Sequence, residues 1–184
     1  SLLEAVFRPA EDGGLGMTYD NSHTRTVSEV WQDRKANCLS LTAFYVAACD
    51  SIGIQARFAE ALNTNRWRRV GSVVRLERHL VALIPMLPVE DLVADFLPQL
   101  RKRVGVYRVA ILDVQRVRSL FYANRAVEEM DAGSLSGALE SAKLSITSDA
   151  SLSVGWNIYG VVLKANGQSQ EAEVAFRKAL LCDP

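Results

Sequence analysis

Hydrophobic side chains between residues 38 and 52 recur at the spacing of one buried helix face. These side chains are Leu41, Phe44, Tyr45, Ala48 and Ile52. Asn37 precedes the run and is a good N-cap residue, since its side chain accepts hydrogen bonds from the first free amides of a helix. Gly53 follows the run and is a common helix terminator. We therefore predict a helix that starts next to Cys38 and ends near Ile52.

Strand-like patterns replace the helical pattern after Gly53. Residues 54–62 predict one strand, and residues 73–84 and 90–96 predict two more. Two prolines lie between the last two runs and mark a turn, so these runs predict an antiparallel hairpin.

The register of this hairpin brings a histidine and an aspartate together. If the turn centres on Leu87, facing residues have numbers that sum to 174, and His79 lies directly opposite Asp95. Their Cβ atoms would be about 5 Å apart on one face of the sheet. A change of one residue in the turn would break this pairing.

From Leu120 onward the sequence is helical and repeats with a period of 34 residues. The first repeat is marked by Tyr122, Arg125, Ala126, Glu129, Gly133, Ala138, Ala142, Ser145 and Ala150. The second repeat is marked by Trp156, Tyr159, Gly160, Leu163, Gly167, Ala172, Phe176, Ala179 and Pro184. Gly133 and Gly167 fall at the turn of each helix pair. We predict one domain over residues 1–118 and two helix-turn-helix repeats over residues 119–184, while residues 104–117 fit a strand that leads into a helix.

Composition narrows the class of protein further. Lys plus Arg and Asp plus Glu both number 21, so no net charge directs the protein to nucleic acid or to an anionic membrane. No apolar run is long enough to span a bilayer. The three cysteines have no CxxC spacing, which argues against a zinc site or a disulfide framework. The chain starts at Ser1 without a methionine, so its start is expected to be truncated and the compartment stays open.

Three side chains fit thiol chemistry. At a helix start, free amides and the helix dipole favour the Cys38 thiolate, the reactive form of a cysteine. His79 could take up and return its proton, and Asp95 could hold the imidazole in the correct tautomer. The competing interpretation is a buried, inert cysteine. His23 is a rival base, but it precedes Cys38 in a loop and is read as a surface or supporting residue.

Several blocks of the chain carry a family resemblance. They are Tyr19-Asp20, Thr26–Trp31, Arg34–Ser40, Gly53–Ala56, Arg78-His79 and Val93–Phe96. With these blocks the chain resembles the bacterial transglutaminase-like superfamily, and most closely the branch with C-terminal tetratricopeptide repeats. The likeness covers roughly residues 19–96, and residues 121–125 resemble the junction into the repeats. The second repeat is similar to the tetratricopeptide consensus.

The resemblance implies an α+β fold, namely a papain-like transglutaminase core in which a helix bearing the cysteine packs on an antiparallel sheet, followed by α-helical tetratricopeptide repeats. It implies a Cys-His-Asp triad with Cys38 as nucleophile, His79 as general base and Asp95 as orienting carboxylate. The sequence contains no calcium-binding loop of carboxylates, and neither a cofactor nor a metal is expected. Such proteins act as cysteine proteases, amidases or transglutaminases through an acyl-enzyme. Ala36 stands where the family usually has glycine.

Two other functions remain as alternatives. The first is a catalytically silent transglutaminase-like scaffold that binds a peptide or protein partner through its repeats. The second is nucleic-acid binding through residues 63–71, which predict a loop with Arg66, Arg68 and Arg69 around Trp67; zero net charge speaks against it. The expected partners are therefore a protein or peptide substrate and a protein bound to the repeats, in a bacterial cytoplasm or cell envelope.

Overall fold

The computed structural model describes residues 2–64, 66–70, 73–86, 90–97 and 107–183, and its fold is mixed α+β. The elements in chain order are α1 (Leu2–Phe7), β1 (Thr18–Tyr19), α2 (Val27–Asp33), β2 (Lys35–Ala36), α3 (Cys38–Ser51), β3 (Arg57–Ala61), β4 (Arg66–Val70), β5 (Val73–Glu77), β6 (Leu80–Ile84), β7 (Leu92–Ala94), β8 (Val109–Leu112), α4 (Val114–Asp131), α5 (Leu135–Ser148), α6 (Ser153–Ala165) and α7 (Ser169–Cys182). The chain divides into two compact units, Ser1–Leu112 and Asp113–Pro184. No helix in the described ranges combines the length and apolar character needed to cross a bilayer.

The first unit is built on an antiparallel sheet of four strands in the order β7-β6-β3-β8. Helix α3 packs against β6. Even-numbered residues of the hairpin, such as Ala82 and Phe96, join Leu41 and Tyr45 of α3 in one core. Odd-numbered residues form a second apolar cluster on the opposite face of the sheet, made of Ala59, Ala61, Val81 and Leu83. Because both faces are covered, all five residues of β6 are buried.

The hairpin register differs from the prediction. Residues that face each other on β6 and β7 have numbers that sum to 176 rather than 174, as in Ala82 opposite Ala94. Extended along the ladder, this register puts Asp95 opposite Val81, so His79 and Asp95 are diagonal neighbours and lie just beyond the paired strands. The shift of two keeps the alternation of faces, which is why both side chains still meet on one side.

Two local predictions are wrong. Residues predicted as part of an arginine-rich loop form strand β4, which pairs with β5 from Arg66 opposite Glu77 to Val70 opposite Val73. Strand pairing of the backbone overrides the polar composition there. The run over residues 73–84, predicted as one strand, is divided into β5 and β6, which belong to different sheets. Helix α2 begins after the N-cap Thr26, which forms a capping box with Glu29.

The second unit consists of the helix pairs α4/α5 and α6/α7. The 34-residue period predicted from the sequence is present in the structure: α5 and α7 start at Leu135 and Ser169, and Gly133 and Gly167 share φ of 80°. Positive φ favours glycine at both turns, because a Cβ strains this backbone conformation. Helix α4 starts earlier than the period requires, at Val114, after the N-cap Asp113.

Gly160 is a close-packing position between α6 and α7. A Cβ there would lie 2.7 Å from a ring carbon of Phe176. We expect Gly160→Ala to lower the free energy of unfolding by about 1–3 kcal/mol through overpacking, although alanine ordinarily stabilises a helix. Urea unfolding followed by circular dichroism measures this change.

The control repeats Gly160→Ala in a Phe176→Leu background. There the ring is absent, and the exchange should instead stabilise α6 by about 0.5–1 kcal/mol. Equal stabilisation in both backgrounds would show that Phe176 does not limit this position.

Candidate functional site

Cys38 is the first residue of α3, as predicted. It carries a free thiol and is partly exposed. Asn37 is the N-cap, and its Oδ1 accepts a hydrogen bond of 2.9 Å from the amide of Ser40. The Nδ2 of Asn37 donates to Thr24 Oγ1 at 2.8 Å, and both side chains are buried. The capping role of Asn37 is therefore confirmed, and its side chain is held between the helix and residue 24.

A buried arginine anchors the segment that covers the start of α3. The amide of Arg25 donates to Ser40 Oγ at 2.8 Å, while its guanidinium lies 2.8 Å from Asp33 and 3.2 Å from Asp20. Only 6% of Arg25 is exposed, so these two carboxylates compensate its buried positive charge. These contacts fix the chain around Cys38, and the sequence pattern did not single out Arg25 for this role.

Ala36 replaces the glycine usual in the resembling family without backbone strain. It lies in strand β2 opposite Tyr19 and is fully buried. Among the described residues, Arg34 is the non-glycine residue with positive φ, at 55°. The position before the N-cap is therefore extended backbone, which alanine adopts freely.

His79 and Asp95 form a buried hydrogen-bonded pair. His79 Nε2 donates to Asp95 Oδ1 at 2.8 Å, and each residue is 4% exposed. An ionised carboxylate only accepts hydrogen bonds, so Nε2 carries a proton and a neutral ring would leave Nδ1 as the acceptor. Residue 78, directly before the histidine, is held to β3 by the ion pair of Arg78 with buried Glu60, at 3.1 Å.

Cys38 influences the charge of the imidazole. Burial lowers the pKa of His79, but the hydrogen bonds and charges of Asp95 and Cys38 have the larger combined effect and raise it to about 9. Nδ1 is buried and, in the described part of the chain, has no well-aligned hydrogen-bond partner. Cys38 therefore acts on the charge of His79, while Nδ1 is left available to exchange a proton with a bound substrate or with the thiol.

Asp95 receives more hydrogen bonds than the sequence predicted. Its Oδ1 also accepts from the amide of Leu97 at 2.8 Å, and its Oδ2 accepts from the Tyr107 hydroxyl at 2.6 Å. Burial raises the pKa of Asp95, but His79, Tyr107 and the Leu97 amide lower it more, to below its usual value. Asp95 is therefore a carboxylate at neutral pH.

The structure joins His79 and Asp95 by a hydrogen bond, and Cys38 is one of the groups that raise the pKa of His79. Sequence reasoning missed Tyr107, which belongs to no motif and lies in a segment whose pattern was ambiguous. A partly exposed thiol, an imidazole and a buried carboxylate can together form a thiolate–imidazolium pair and transfer protons at a bound acyl group.

Comparisons of the chain with protein-family models, with curated proteins and with solved structures find no match. The resemblance to the transglutaminase-like superfamily thus rests on the sequence motifs alone, and the chemistry of the site follows from its own geometry.

Proposed function

We propose that this chain is a thiol-dependent acyl-transfer enzyme with a papain-like, transglutaminase-like core. In this proposal Cys38 is the nucleophile, His79 the general acid and base, and Asp95 the carboxylate that orients the imidazole. The observation that carries the proposal is His79 itself: its Nε2 donates to buried Asp95, and Cys38 and Asp95 together raise its pKa.

The reaction would proceed in two steps. The Cys38 thiolate attacks the acyl carbon, a carbon–sulfur bond forms, and the carbonyl electrons move to oxygen. The Cys38 amide, among the first amides of α3 that lack a partner within the helix, can donate to that oxyanion. The tetrahedral intermediate collapses as the His79 imidazolium gives its proton to the leaving amine, which leaves a thioester and neutral His79.

In the second step neutral His79 takes a proton from the acyl acceptor, which attacks the thioester and releases Cys38. With water as acceptor the protein is a protease or amidase, and with an amine it is a transglutaminase.

The protonated histidine needed for the first step is lost above its pKa of about 9. Amide turnover should therefore decline above about pH 9, while alkylation of Cys38, which needs the thiolate alone, should not.

We further propose that the two helix pairs are tetratricopeptide repeats that bind a protein partner. The support is the 34-residue offset of α5 and α7 together with the matching turns at Gly133 and Gly167. A scaffold without catalysis remains the second candidate, because such helix pairs serve binding whether or not Cys38 reacts.

The test of the enzyme proposal is the rate of Cys38 alkylation by iodoacetamide as a function of pH. The protein carries Cys182→Ser, and peptide mapping by mass spectrometry separates Cys38 from buried Cys49. We expect alkylation to stay fast down to about pH 5, since a thiol paired with an imidazolium remains ionised well below pH 7. In His79→Ala the rate should rise only near pH 8.5 and be lower at pH 6 by roughly tenfold or more, because an ordinary thiol has a pKa of about 8.5.

His23→Ala is the matched control, since the chain contains two histidines. It should leave the pH profile unchanged. If the native protein and His79→Ala both react as ordinary thiols while remaining folded, the thiolate–imidazolium pair does not exist, and the scaffold becomes the better description.

A further inference from the structure

Tyr107 reaches the candidate site from the opposite edge of the sheet. It precedes β8, whereas Asp95 follows β7, and these are the two edge strands of the order β7-β6-β3-β8. Three strand spacings separate such edges, or about 14 Å. The Tyr107 hydroxyl nevertheless lies 2.6 Å from Asp95 Oδ2. The tyrosine side chain therefore crosses the end of the sheet and connects its two edges at this carboxylate.

The two oxygens of Asp95 are occupied from different parts of the chain. Oδ1 accepts from His79 Nε2 and from the amide of Leu97, and Oδ2 accepts from Tyr107. Rotation of the carboxylate about its Cβ–Cγ bond would move both oxygens, and the donors at Oδ1 and Oδ2 together oppose it. The hydroxyl at Oδ2 thus adds a restraint from the other edge of the sheet that helps to keep Oδ1 aimed at His79.

We propose that Tyr107 is a positioning residue for the acyl-transfer site, which holds Asp95 ionised and aimed at His79 and acts on Cys38 only through them. The inference rests on the proposed function of Cys38, His79 and Asp95. It assigns to the hydroxyl a role separate from that of the ring, which packs in the apolar cluster of Ala59, Ala61, Val81 and Leu83.

The charges around Asp95 agree with this role. Burial and the neighbouring carboxylate raise the pKa of Tyr107, so the phenol keeps its proton and donates throughout the working range. The hydrogen bond from Tyr107 in turn contributes to the lowered pKa of Asp95. In the described residues, the titratable groups that act on Asp95 are His79 and Tyr107, and Cys38 acts on His79.

Tyr107→Phe removes the hydroxyl and keeps the ring, so it tests this role with little change in packing. We expect the carboxyl titration of Asp95, followed by carbon NMR, to move upward by at least about one pH unit when the charge-assisted hydrogen bond is lost. The acid limit of Cys38 alkylation should move upward with it. The same exchange in an Asp95→Ala background should leave alkylation unchanged, because the carboxylate through which Tyr107 acts is absent.

Two results would overturn the inference in a folded variant. One is an Asp95 titration that Tyr107→Phe leaves unchanged, and the other is an equal loss of alkylation with and without Asp95. The proposed function has its own readout, the reactivity of Cys38 in the native protein. If Cys38 of the native protein reacts as an ordinary thiol while Tyr107→Phe still shifts the Asp95 titration, the proposed enzymatic function is refuted but the effect of Tyr107 on Asp95 is confirmed. Failure of the proposed function can therefore be told apart from failure of this inference.

Discussion

Asp95→Ala is expected to lower the rate of Cys38 acylation by roughly 10²- to 10⁴-fold, the range typical of positioned acid–base groups. The carboxylate accepts a hydrogen bond from Nε2 of His79, and within the described residues no other acceptor is shown at that nitrogen. Without it the imidazole loses its orientation and the partner for its positive charge. The expected result is a fall in the pKa of His79 from about 9 to about 6.5 or below, since burial then opposes protonation.

Asp95→Asn separates charge from orientation. Asparagine has nearly the same shape and can still accept from Nε2, but it carries no charge to stabilise an imidazolium. We expect it to retain more activity than alanine while the pKa of His79 still falls. Acylation is measured in single turnovers with a 4-nitrophenyl ester, and the pKa by NMR of the imidazole.

Asp91→Ala supplies the matched control for the carboxylate. Asp91 is an exposed residue before β7 whose contact is with the amide of Met86, at 3.4 Å. Its loss should change neither acylation nor the titration of His79. A native-like pKa for His79 in folded Asp95→Ala would refute the role of Asp95.

The largest expected effect on stability is that of Phe96→Ala, which should lower the free energy of unfolding by about 3–5 kcal/mol. Phe96 is fully buried, and its ring packs edge-on to Tyr45 of α3 at 5.4 Å between centroids and near Phe7 at 6.3 Å. Alanine would leave a cavity between the helix and the sheet that rigid neighbours fill poorly.

Leu92→Ala tests whether the burial of Phe96 causes the expected loss of stability. Leu92 belongs to the same hairpin but is 50% exposed, so its truncation should cost less than about 1 kcal/mol. Both variants are compared by urea unfolding. Equal losses of unfolding free energy in Phe96→Ala and Leu92→Ala would contradict this account of the core. Because Phe96 directly follows Asp95, Phe96→Ala should also slow acylation in the fraction of protein that remains folded.

Local features of the chain were predictable because they depend on neighbours in sequence. Helix α3 and its cap follow from apolar spacing and from Asn37, whose side chain needs only the amides three residues away. The helix pairs follow from a period of 34 residues with glycine at each turn. The sequence motifs also single out the three residues of the candidate site.

The register and the hydrogen bonds of the site were decided by tertiary structure. Asp95 would have faced His79 directly in the predicted pairing, and it reaches the imidazole diagonally because the ladder is shifted by two residues. Tyr107 and Leu97 donate to Asp95 from segments whose residue types carry no signal. By itself the sequence determined the helices, the repeat period and which side chains could react, since these are local patterns. Only the packing of the sheet decided which donors surround the carboxylate, because that depends on how strands distant in sequence meet.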